Sequence, residues 1–107
     1  MWASTIVLTV TEFGRTIAQN GSAGTDHGFG SACLIAGGLI SQAGVVSDWP
    51  GLKPSQLHEG RDLNATIDMR SVCAACLEVA FGLEHNEIVE KVFFDTKVKR
   101  IYNEIFS

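Results

Sequence analysis

An acid, an arginine and an adjacent Asp-His pair fall within about sixteen residues of one another: Glu12, Arg15, Asp26 and His27. They lie in the runs Thr11-Glu-Phe-Gly-Arg-Thr16 and Gly24-Thr-Asp-His-Gly28. A carboxylate such as Glu12 can ligate a hard or borderline cation or act as a general base. Its structural alternative is an ion pair with Arg15 that fixes the loop. Asp26 and His27 offer carboxylate and imidazole, the mixed ligand set of zinc and other divalent sites. Being adjacent, they need not share a side, so one can bind a metal while the other supports it. Their structural alternative is an Asx-turn at Asp26 with His27 packed nearby. Arg15 presents a planar fork suited to phosphate or sulfate. The glycines do not add a nucleotide motif: there is no Walker A run and no G-x-G-x-x-G entering a helix.

Other candidates read as structural. Cys73-Ala-Ala-Cys76 matches C-x-x-C, but both cysteines lie on the apolar stripe of a helix interior, which points to core packing rather than redox chemistry. His58 and His85 stand in polar contexts and read as surface residues. Arg61-Asp62 reads as a brace for the approach to the helix.

The elements that must position these residues follow from patterning. Residues 5–10 are β-branched and nearly all apolar without alternation, as in a strand buried on both faces of a parallel sheet. Glu12 would then stand just past the strand's C-terminal end, where open α/β sheets bind ligands. A second short buried strand is expected at 31–36, ended by Gly37-Gly38, then a hairpin-like excursion over 39–46 and a turn at Asp48-Trp-Pro-Gly51. Nine of the eleven glycines fall between Gly14 and Gly51, which marks this region as loop-rich.

The clearest helix begins after Asp68, a good N-cap. Met69, Val72, Cys73, Cys76, Leu77 and Ala80 form an apolar stripe at helical spacing, and Gly82 sits where a C-terminal cap glycine belongs. Residues 84–107 read as a helical C-terminal arm with apolar points at Ile88, Val92, Ile101 and Ile105, and with Val92-Phe93-Phe94 docking onto the body.

At 107 residues, the chain has the length of a single domain. With 46% hydrophobic and 19% charged residues it is globular rather than disordered. A net charge of −4 gives no reason to expect nucleic acid or an anionic membrane as partner. No stretch is long and apolar enough to span a membrane. The first residues lack the pattern of a signal peptide, so the chain reads as cytoplasmic. Three cysteines are an odd number and suggest reduced thiols rather than a disulfide framework.

Taken in order, the two opening runs, Asn20-Gly-Ser, Gly37-Gly38, Asp48-Trp-Pro-Gly-Leu52, Gly60-Arg-Asp-Leu63 and the Asp-capped helix resemble one family. It is the large bacterial family of uncharacterised sulfatase-like proteins in the alkaline phosphatase superfamily. The resemblance spans residues 5–83 and matches the C-terminal part of such proteins. It implies a fragment of an alkaline-phosphatase-like fold, with a metal-bearing sheet edge and a small anionic ester as substrate. It also implies that Glu12 lies near the superfamily's strand-end ligand pair and that Asp26 and His27 lie near a later histidine ligand, with zinc, manganese or calcium as the divalent metal. The superfamily's nucleophile, carried on an early strand, has no counterpart in residues 1–107. A nucleophile and its activating metal act as a unit, so independent ester hydrolysis is not expected.

The expected architecture is therefore α/β: a short, mostly parallel sheet of three or four strands with packed helices. Its exposed edge would favour a homo-oligomer. Three functional readings stand: a metal- or anion-binding relative without its own catalysis, a small metal-dependent phosphate or sulfate ester hydrolase completed by oligomerisation, and a non-catalytic interaction or scaffold module.

Overall fold

The chain, described here for residues 1–106 from a computed structural model, has four two-residue strands and three α-helices. In chain order these are β1 (Val7–Leu8), β2 (Gly14–Arg15), β3 (His27–Gly28), β4 (Ile35–Ala36), α1 (Met69–Phe81), α2 (His85–Lys91) and α3 (Tyr102–Phe106). Short 3-10 turns occupy Trp2–Ser4 and Pro54–Gln56. The elements form two compact units that alternate along the sequence. One holds Met1–Leu8, Ile35–Val46 and the chain from Ile67 onward, and the other Thr9–Leu34 and Ser47–Thr66.

Mixed α/β character holds, but the sheet is neither extended nor parallel. In the first unit β1 pairs antiparallel with β4, Val7 opposite Ala36 and Leu8 opposite Ile35. In the second unit β2 pairs antiparallel with β3. The expected parallel pairing of 5–10 with 31–36 fails for a topological reason. Parallel neighbours need a crossover of a dozen or more residues, usually a helix laid over the sheet. The segment joining these strands contains no helix and folds on itself as β2–β3. Nor is β1 buried on both faces, since Val7 is 45% exposed. Residues 39–46 form no hairpin.

Helix α1 follows the sequence closely at its ends. Asp68 is the N-cap and its carboxylate accepts from the Arg70 N–H at 2.9 Å. Gly82 ends the helix in the left-handed region, φ 65°, where a side chain would be strained. The buried face is rotated from the expected stripe. Ser71, Val72, Ala74, Ala75 and Cys76 are buried, whereas Met69 and Ala80 are exposed. Two small alanines, Ala74 and Ala75, let α1 approach its neighbours closely, and it packs against both α2 and α3. Ile88, Val89, Val98, Ile101 and Phe106 complete the core of this unit. The arm 84–107 thus supplies half of a core. Ile105 is half-buried, and Val92 and Phe94 do not dock: Val92 is 51% and Phe94 82% exposed, and Phe94 adopts φ 54°.

A charged cluster pins the start of α1. Arg70 bridges Asp68 at 2.7 Å and Asp95 at 3.1 Å. The hydrogen bond from the Arg70 side chain holds the Asp68 carboxyl below the ordinary range, and Asp95 is lowered by the Lys97 backbone N–H and then by Arg70. Because both folded-state values lie below the unfolded ones, this stabilisation is present above about pH 4 and is lost as pH falls through the depressed values. Asp68→Ala is expected to lower stability by about 1 kcal/mol at neutral pH. Thermal melts should show the variant and wild type converging as the pH is taken from 6 toward 2. An undiminished gap at acid pH would contradict the role assigned to the carboxylate.

Candidate functional site

The second unit is built by close approach of backbone to backbone. A Cβ at Gly14 would be driven into the carbonyl oxygen of Gly30. A Cβ at Gly30 would in turn meet the Leu63 carbonyl oxygen and, at 2.8 Å, that of Asn64. Three passes of chain therefore stack with only hydrogen between them, tied by the Gly30 N–H donating to the Leu63 carbonyl at 2.7 Å. Gly28 is held in the same way, since a Cβ there would meet the Arg15 carbonyl at 2.7 Å.

The β2–β3 register then decides which side chains meet. Gly14 lies opposite Gly28, and Arg15 directly opposite His27. Thr16, buried beneath the ladder, donates its N–H to the Asp26 carbonyl at 3.0 Å, and its Oγ1 accepts from the Asp26 N–H at 3.1 Å. The loop between the strands is shaped by Asn20, whose Oδ1 accepts from Ser22 N–H at 2.9 Å and Gly24 N–H at 3.0 Å. Its Nδ2 donates to Asp26 Oδ1 at 2.9 Å. The Asx-turn anticipated at Asp26 thus belongs to Asn20, and Asp26 is the carboxylate that the turn steadies. His27 stacks on Phe13, with ring centroids 4.2 Å apart and planes 11° from parallel.

Arg15, Thr25, Asp26 and His27 line one shallow concavity of about 480 Å³. Arg15 Nε donates to Thr25 Oγ1 at 2.9 Å, and Nη2 donates to the Thr25 carbonyl. Both acceptors are neutral, and three of the five guanidinium donors stay uncommitted. The other arginines differ. Arg61 pairs with Asp62 at 2.9 Å, Arg70 with Asp68 and Asp95, and Arg100 with Glu78 at 3.0 Å. Among the described residues, Arg15 alone of the four has no carboxylate within ion-pair distance.

Glu12 is exposed and makes no ion pair with Arg15 or any other described residue. Among the described residues no three His, Cys, Asp or Glu side chains form a ligand cluster, so Glu12, Asp26 and His27 are not gathered into one. Asp26 and His27 are brought together with Arg15; Glu12 is not.

Further residues of this unit carry partners that the sequence did not disclose. His58 is half-buried, its side chain still 39% exposed, and its ring stacks on Phe29 with centroids 4.3 Å apart. Asp62 is 4% exposed and is held by Arg61, consistent with a brace. That hydrogen bond, with a smaller contribution from Asp26, keeps Arg61 firmly charged. In the first unit His85 is likewise half-buried, its Nε2–H donating to the Val98 carbonyl at 2.9 Å.

No helix among the described residues is long and apolar enough to cross a membrane. No curated protein and no solved structure matches the chain. A family model described as a protein of unknown function, DUF1501, matches residues 1–93, a span that contains every strand, α1, α2 and the whole Arg15 concavity. The chain therefore belongs to the DUF1501 family.

Proposed function

We propose that this chain binds a small oxyanion, phosphate or sulfate or one of their esters, at Arg15, without hydrolysing it on its own. One observation carries the reading: Arg15 keeps an uncompensated charge and open donors in a concavity beside His27, where every other arginine of the chain is neutralised by a carboxylate. Arginine recognises tetrahedral oxyanions through paired N–H donors, and Thr25 already fixes the fork in place. The resemblance of residues 5–83 to sulfatase-like proteins of the alkaline phosphatase superfamily supports the same ligand class.

Asp26 works against a bound anion, and the exposed setting limits the gain. A unit charge pair about 4 Å apart in water contributes about 1 kcal/mol, and a charge-assisted hydrogen bond about 1.5–3 kcal/mol. Binding in the millimolar range, about −4 kcal/mol, is the expected strength. The ligand set for a divalent cation is not assembled, because Glu12 is apart, Asp26 is engaged by Asn20 and His27 is stacked on Phe13. No catalytic step is therefore routed through a metal.

Titration of labelled protein with sulfate, phosphate and an aryl sulfate, followed by NMR, should shift the amides of residues 14–16 and 25–28. Arg15→Gln is expected to weaken binding at least about tenfold. An unchanged affinity in that variant sinks the proposal. Turnover of an aryl phosphate or sulfate with added manganese or zinc, lost in His27→Ala, would instead favour a hydrolase completed by a second copy. Light scattering on the same samples reports whether the chain forms the homo-oligomer that its open strand edges and exposed Phe13, Phe29 and Trp49 favour.

A further inference from the structure

The Arg15 concavity holds one group that a plain anion site would exclude. Asp26 lines it beside Arg15, Thr25 and His27. Asp26 Oδ1 accepts from Asn20 Nδ2 at 2.9 Å, so the turn anchors one carboxylate oxygen. Among the described residues, no hydrogen bond reaches Oδ2 and no cation stands within ion-pair distance of the carboxylate. The opposite charges of Arg15 and Asp26 thus share one hollow without closing on each other. Thr25 Oγ1 already accepts from Arg15 Nε at 2.9 Å, which leaves its own O–H to donate to a ligand.

We propose that Asp26 makes this site selective for an oxyanion that carries a proton, hydrogen phosphate or a protonated phosphate monoester, over sulfate and its esters. This selectivity rests on the oxyanion site at Arg15 and narrows its ligand class. Phosphate and sulfate are both tetrahedral, so the arginine fork hardly tells them apart. Protonation does. At neutral pH every inorganic phosphate ion keeps at least one O–H, and a phosphate monoester, with its second pKa near about 6, keeps one in a fraction that grows as pH falls. Sulfate and its esters keep none. An ionised carboxylate can only accept hydrogen bonds, so Asp26 receives the phosphate O–H in a charge-assisted bond. Against sulfate it sets a like charge with no proton between the oxygens. A fixed acceptor rejects the analogue that lacks the matching donor. Exposure to water moderates the effect, so about tenfold discrimination is expected rather than the roughly 10⁴-fold of an enclosed site.

The test is NMR titration of the labelled full chain at neutral pH and fixed ionic strength with inorganic phosphate, arsenate, sulfate and selenate. Phosphate and arsenate keep a proton under these conditions, whereas sulfate and selenate do not. The amides of residues 14–16 and 25–28 should report the first pair binding about tenfold tighter than the second. Asp26→Asn keeps an acceptor for Asn20 and removes the charge, so sulfate should gain and the phosphate-to-sulfate ratio should fall to about one. Asp26 is exposed, so this variant is expected to fold, and its amide spectrum checks that. The four-anion series on wild type decides the selectivity without it. Equal affinities for phosphate and sulfate in wild type, both lost in Arg15→Gln, overturn the selectivity and leave the oxyanion site standing. An unchanged ratio in folded Asp26→Asn overturns the role given to Asp26. No response to any of the four anions overturns the oxyanion site and its selectivity together.

Discussion

Gly14→Ala is expected to dismantle the Arg15 concavity while leaving the helical unit folded. The added methyl would occupy the space of the Gly30 carbonyl oxygen, a backbone atom that cannot rotate away. Gly30 cannot retreat either, since Leu63 and Asn64 stand on its other side. Overpacking a tight interior costs about 1–3 kcal/mol where side chains can adjust; here only main chain could adjust, so the upper end or beyond is expected. The functional effect should exceed the thermodynamic one. The β2–β3 ladder that sets Arg15 opposite His27 begins at the Gly14–Gly28 pair, and separating the strands removes the oxyanion site. Amide exchange should accelerate across residues 14–30 and 58–64, sulfate binding should vanish, and the amides of 71–79 and 88–89 should stay protected. Retained protection of 14–30 would show that the chain passes are less tightly stacked than inferred.

How much of this was legible in the residues depended on whether the signal was local. The ends of α1 were, because Asp68 and Gly82 act through their own backbone and adjacent turns. The grouping of Arg15, Asp26 and His27 was legible as proximity in sequence, yet its cause, antiparallel pairing of Gly14–Arg15 with His27–Gly28, was not. Two-residue strands leave no period to read. Asn20 carried a readable signal that was assigned to the wrong residue: Asn-Gly-Ser is a turn sequence in its own right. The parallel sheet was inferred from a run of apolar β-branched residues, but such a run states only that the segment avoids water and prefers extended backbone. The direction of its neighbour is set by the connecting segment. Phe13, Thr16 and Thr25 gave no warning, since stacking and buried hydroxyl contacts depend on the register that the sequence withheld.

The rotation of α1 shows a related limit. Helical spacing allows the apolar arc to be centred on Cys73, Cys76, Leu77 and Ala80 or on Val72, Ala75 and Cys76, and hydropathy favours the first. Close packing favours the second, because Ala74 and Ala75 are fully buried and admit α2 and α3 at short range. Ser71, 2% exposed, follows onto the buried face. The arc with Cys73, Leu77 and Ala80 is thereby left on the wall of a groove.

That packing makes Ile88→Ala the most damaging single change expected in the helical unit. Ile88 is 1% exposed and is the largest fully buried apolar side chain among the described residues. Its backbone is equally committed: its carbonyl accepts from Val92 N–H at 2.9 Å and Phe93 N–H at 3.2 Å, ending α2. Truncation to alanine leaves the backbone bonds but removes three carbons from a fully buried position on α2, which packs against α1. Such truncations cost about 2–5 kcal/mol, rising with the cavity that persists. Against a total stability of about 5–15 kcal/mol, that is enough to populate an opened C-terminal arm. Chemical denaturation should show a lower midpoint at nearly unchanged slope, and limited proteolysis should cut first between 92 and 100. Ile88→Val, which removes one methylene, should cost only about 0.5–1.5 kcal/mol. Equal losses for the two variants would mean that the site collapses onto alanine and that the arm is held by its ion pairs, Arg70–Asp95 and Arg100–Glu78, rather than by its core.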